Sequence, residues 1–157
     1  MDLAIIARAI HVLAVVHWIG GVSFVTSVVL PSLASNPDPG QRWALFEQAE
    51  RRFSGQVKFS VPLAGLSGIY MADKLGLWGR FLQPSGWWLA AMAAVWLLFM
   101  LILFVVEPLV AHSWFERQAR IDPAGAFRLL QRAHWLLLTI SAAVLAAGVL
   151  GAHGYID

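Results

Sequence analysis

The chain has 157 residues, 59% hydrophobic and 13% charged, with a formal net charge of +2 and no cysteine. A soluble domain of this length carries about twice that charge fraction, and without cysteine there are no disulfides, thiolate metal sites or cysteine nucleophiles. The cations sit in loops between apolar runs, where they report membrane topology, and nucleic acid is excluded as a partner.

The first thirty residues carry Asp2 and Arg8 and then a mostly apolar run with two histidines. That run is longer than the core of a cleavable signal peptide, so it is read as a retained helix. A transmembrane helix needs roughly 20 predominantly apolar residues, and four stretches meet that length: about 3–30, 59–78, 87–112 and 133–154. Pro31 and the loop PSLASNPDPG stop the first, and the turn GLWGRFLQPSG follows the second. Asp38-Pro39 and Asp122-Pro123 each place an N-cap acid before a proline at N1, which starts a helix. The amphipathic stretch QRWALFEQAERRFSG lies at the interface or leads straight into the second span. The expected fold is therefore all-α, a single integral membrane up-down four-helix bundle over residues 1–157.

Cationic residues set the direction. Arg42, Arg51, Arg52 and Lys58 fall between spans one and two, and Arg117, Arg120, Arg128 and Arg132 between spans three and four. Only Arg8, Lys74 and Arg80 fall on the other side. The positive-inside rule makes both cationic loops cytoplasmic and puts both termini on the outer face. Trp43, Trp78, Trp87, Trp88 and Trp114 fall near span ends and suit an aromatic belt.

All five histidines, His11, His17, His112, His134 and His153, lie within or at the end of a span. Ionisable residues in spans are costly and face the interior, so they are candidate ligands. His11 near the outer end of span one and His153 near the outer end of span four match in depth, as axial ligands of one haem iron must. His112 and His134 match at the cytoplasmic edge. His17 lies about 9 Å deeper than His11 by helical rise and is turned about 120° from it, so the two do not share one iron. His17 serves a second site, with His134 or with Met92 or Met100. Hydrogen bonding between helices and a copper, ion or proton path remain open beside haem. Gly20, Gly21, Gly65, Gly68, Gly148, Gly151 and Gly154 admit a flat macrocycle, although helix packing is the commoner use of such glycines. Glu107, just before the helix-kinking Pro108, pairs with Arg117 or Arg128, or else serves as a proton relay or quinone contact. No nucleophile elbow, phosphate loop or HExxH motif is present, which leaves hydrolysis and phosphoryl transfer without support.

The stretch AIHVLAVVHWIGGVSFVTSVVLPSL resembles the first helix of small bacterial membrane proteins of the copper-resistance D group and of the HemJ-like protoporphyrinogen oxidases. RRF followed by KFSVPLAGLSGIYM is similar to their arginine pair and second helix. The resemblance implies a four-helix fold in the bacterial inner membrane, a b-type haem with His11 as the family histidine, and redox chemistry or copper handling. The third span reads WWLAAMAAVW where that group carries histidine and lysine, so protoporphyrinogen oxidation is not carried over. The expected function is a protein binding one or two b haems, with His11 and His153 at one site and His17 and His134 at another. It passes electrons between a quinone or partner protein and an acceptor, as a membrane oxidoreductase or without turnover of its own. The alternative is a copper or other metal-ion permease or accessory subunit. A homo-oligomer stays open.

Overall fold

The computed structural model describes residues 3–111, 117–118 and 121–156; His112, Trp114 and Arg120, named above, lie outside them. Among the described residues every regular element is helical. Helix α1, Leu3–Phe24, runs through a π-helical turn, Val25–Val29, into α2, Leu30–Ala34. The stop expected at Pro31 does not occur. A proline inside a helix lacks its N–H and meets the carbonyl four residues back. Here the Leu30 N–H donates to the Val25 carbonyl, five residues back, and this wider turn absorbs the mismatch.

Helix α3, Pro39–Lys74, begins at Asp38, whose carboxylate accepts from the Gly40 N–H at 2.8 Å and the Gln41 N–H at 3.4 Å. The amphipathic stretch leads straight on into the second apolar stretch, giving one helix about 54 Å long by helical rise. It ends four residues before the expected end of span two. Gly76, at φ +64°, adopts the left-handed conformation that closes a helix, and 3₁₀ turns at Leu77–Leu82 and Pro84–Gly86 carry the chain on. Helix α4, Trp87–Leu101, continues as a π-helical segment, Ile102–Ala111, across Pro108. Helix α5, Pro123–Ala152, starts at Asp122, which accepts from the Gly125 N–H at 2.8 Å. Both predicted aspartate caps are present.

Among the described residues, three helical stretches are long and apolar enough to cross a membrane: Leu3–Ala34, Pro84–Leu109 and Pro123–Ala152. Helix α3 is not among them. Its uncharged run, from 59 to 72, spans about 21 Å, short of a hydrocarbon core of about 30 Å. Yet α3 lies at the centre of the packing. It pairs with α1 along most of its length, α4 pairs with α5, and the two hairpins close on each other. Trp18 and Phe99 meet edge-on at 4.8 Å in a core shared by Val22, Val57, Val61 and Leu103. A second core, of Val25, Leu30, Phe46, Phe127 and Leu130, lies towards the arginine-bearing end.

Outward faces are strongly apolar: Phe59 is 74% exposed and Leu66 66%. A surface of this kind marks contact with a non-aqueous environment, and with three spanning-length helices it is the signature of a membrane protein. Trp78 and Trp87 are exposed near a helix end as a belt requires, but Trp88 is buried. One residue along a helix is a 100° rotation, enough to turn Trp88 onto α5 against Gly151.

A Cβ at Gly65 would collide with the Trp96 indole, whose Nε1 donates to the Val61 carbonyl at 2.9 Å. Gly65→Val is expected to lower stability in detergent by about 1–3 kcal/mol through overpacking. Gly20→Ala, at a position with open space around it, stays within about 0.5 kcal/mol of the parent. Reversible unfolding followed by circular dichroism checks both.

Candidate functional site

Both histidines of α1 turn onto α3. Ser60, Ala64 and Ser67 recur at intervals of four and three residues, which places them on one stripe of α3. His11, half-buried, has its Nδ1 2.8 Å from the Ala64 carbonyl and 3.3 Å from Ser67 Oγ. Because a carbonyl only accepts, Nδ1 carries the proton and Nε2 keeps a free lone pair. Gly68 makes room for the ring, since a Cβ there would stand 3.2 Å from His11 Cε1. His17, exposed, has its Nδ1 3.1 Å from Ser60 Oγ. The two imidazoles therefore engage successive levels of the same α3 stripe, although they leave α1 in different directions.

The other described histidines sit apart from this seam. His134 donates from Nδ1 to the carbonyl of Leu130, one turn back on α5, at 3.0 Å, and meets Phe46 edge-on at 6.0 Å. His153, exposed at the C-terminal cap of α5, donates to its own helix at the Val149 carbonyl, 2.8 Å. The contacts of His11 and His153 fall on different elements, while His17 and His134 both reach α3, at Ser60 and Phe46, about 21 Å of helical rise apart. Met92 packs its sulfur against Gly148 of α5, and Met100 packs on the central core. Gly21, Gly65, Gly148 and Gly151 are filled by Phe53, Trp96, Met92 and Trp88 respectively, which is helix packing and not room for a macrocycle.

Glu107 has partners other than the arginines expected for it. Its carboxylate accepts from Ser54 Oγ at 2.7 and 2.8 Å and from Lys58 Nζ at 2.9 Å, both on α3. Arg117 and Arg128 are not involved. The π-helical segment is thus tied to the face of α3 that also receives Trp96, while a face about 120° around the helix receives the histidines. Beside His17 a groove of about 440 Å³ opens between α1 and α3, lined by Leu13, Gln56, Phe59, Ser60 and Leu63 among others. The α3 serines, Gln56 and Lys58 were missing from the set of candidates drawn from the sequence. The 60/64/67 stripe was readable as a helical face, but nothing in it told which helix it would meet.

No family model, curated protein or solved structure matches this chain. The likeness of its first helix to the copper-resistance D and HemJ-like group therefore rests on the residues quoted above alone.

Removing one member of a partly buried ion pair leaves the other uncompensated. Lys58→Met is accordingly expected to destabilise the protein in detergent more than the double variant Lys58→Met/Glu107→Gln. The coupling read from the double-mutant cycle should be about 0.5–3 kcal/mol, and a coupling near zero would show the pair to be incidental.

Proposed function

We propose that this chain is a multi-pass protein of the bacterial inner membrane, four helices deep, with a redox role and a b-type haem held through His11. One observation carries this reading: His11 is presented as a single, tautomer-defined imidazole. Metal-ligating histidines characteristically give one ring N–H to a backbone carbonyl or carboxylate and ligate through the other nitrogen, and the Ala64 carbonyl does this for His11. A haem iron needs only one or two protein ligands, whereas a bare zinc ion needs three or more. No group of three His, Cys, Asp or Glu able to hold an ion occurs among the described residues, which favours haem over a site of that kind. When bound, such a haem supplies a one-electron couple whose potential depends on ligand identity, hydrogen bonding and burial. Of the chain's own residues, Ala64 fixes the imidazole proton and Gly68 admits the ring.

Helix α3 crosses as the fourth span in this reading. Its uncharged stretch fills most of the hydrocarbon, and interhelical bonds engage Ser54 and Lys58 at one end and Ser60 and Ser67 within it. Both termini are then periplasmic.

Purified in detergent after expression with haem supplementation, the protein is expected to show a reduced-minus-oxidised difference spectrum with an α band. His11→Ala abolishes it. A shifted band in His153→Ala identifies that residue as the opposite axial ligand, and a second, independent band lost in His17→Ala or His134→Ala identifies a second haem. No band in the parent protein overturns the haem reading. Because the chain lacks cysteine, Ser35→Cys and Ser85→Cys report topology directly. An impermeant thiol reagent should label Ser85→Cys from the periplasm and Ser35→Cys from the cytoplasm.

A further inference from the structure

We infer that the groove between α1 and α3 binds the head of a membrane quinone. This rests on the membrane placement proposed above but not on the haem, because the binding needs no iron.

Three polar side chains are among those that line the groove: His17, Gln56 and Ser60. Leu13, Phe59 and Leu63 form the walls. His17 and Gln56 are exposed on the outer surface of the helix pair, while Ser60 is buried. By helical rise, Gln56 stands about 6 Å and Ser60 about 12 Å along α3 from Arg52. Gln56 therefore lies at the charged edge, before Lys58, and Ser60 just inside the uncharged run that begins at Phe59. Polar side chains turned towards hydrocarbon are costly and are normally paired or functional. At His17 the Nδ1 is satisfied by Ser60, and among the described residues neither Nε2 nor the Gln56 side-chain amide has a hydrogen-bond partner.

The chemistry of the lining selects the occupant. A phospholipid head carries a phosphate and calls for arginine or lysine, and the groove lining includes neither. An uncharged planar ring with carbonyl oxygens calls for neutral donors beside apolar walls, and an open side towards lipid admits its isoprenoid tail. The volume of about 440 Å³ is in the range of small-molecule sites. Ser60 adds a further property. Its hydroxyl both donates and accepts, and the Gln56 carbonyl lies 3.5 Å from its Oγ. With the Ser60 proton turned towards Gln56, Oγ accepts from His17 Nδ1–H and Nε2 is left to accept a hydrogen bond from a quinol hydroxyl. With that proton turned to His17 Nδ1, Nε2 carries the hydrogen and donates to a quinone carbonyl. Rotation of that hydroxyl, together with loss of the imidazole proton from Nδ1 and uptake of one at Nε2, thus fits the site to either redox form of the ring.

The test uses the full chain in detergent with a decyl-tailed azido-benzoquinone as both ligand and photolabel. Labelled peptides are expected to contain residues 10–17 or 56–63. Affinity should fall by about tenfold in His17→Leu and in Gln56→Leu, the size of one lost hydrogen bond. It should fall by at least as much in Leu63→Trp, which fills the groove without removing a polar group. Leu82→Ala, on the turn beyond α3, leaves affinity unchanged. Circular dichroism melting confirms that each variant folds, and any two of the three groove variants suffice to decide. Unchanged affinity in the folded groove variants, labelling confined to other peptides, or displacement of the probe by an equal mole fraction of phosphatidylglycerol overturns the inference. Quinone binding without any haem band fails the reading of the previous subsection and leaves this one standing.

Discussion

A helix in hydrocarbon satisfies its own backbone, but a polar side chain there must find a partner on another helix. In this bundle the interhelical side-chain hydrogen bonds described above all run to α3. It receives His11 at Ala64 and Ser67, His17 at Ser60, Trp96 at Val61, and Glu107 at Ser54 and Lys58. The least apolar of the long helices is the one the others bind. Its polarity, which keeps it from resembling a spanning helix by composition, is what fits it for the centre.

The two faces of α3 divide the labour. Residues 60, 64 and 67 meet the α1 histidines, and residues 54, 58, 61 and 65 meet the third long helix through Glu107 and Trp96. Both helices that hydrogen-bond to it carry a proline and a π-helical segment towards the arginine-bearing end. Such turns re-aim side chains without ending a helix. The segment Ile102–Ala111 brings Glu107 to Ser54 and Lys58. Beyond about 30 Å of hydrocarbon the long helices still have length to spare, and Phe46, Leu30 and Phe127 give that extension a core of its own.

The seam also orders the chemistry. Each described histidine has its Nδ1 beside an oxygen, but only His11 and His17 use one on another helix. They stand about 9 Å apart by helical rise, one half-buried in the seam and one at the edge of a groove open to the outer surface. The haem and the quinone proposed above would occupy these two places.

Much of the architecture was legible because it depends on local physics. The two Asp-Pro caps, the apolar runs of α1, α4 and α5 and the loop cations are read from neighbours along the chain. The continuation through Pro31 and the early end at Gly76 were not, since each turns on backbone hydrogen bonding that composition does not specify. The histidine pairing shows the limit most clearly. Depth follows from counting residues, but which imidazole meets which depends on the order of helices around the bundle and on the rotation of each about its axis. Sequence by itself determined that imidazoles lie in apolar helices and must be satisfied there. Only the tertiary structure decided that α3 satisfies those of α1, because only packing sets the azimuth of one helix against another.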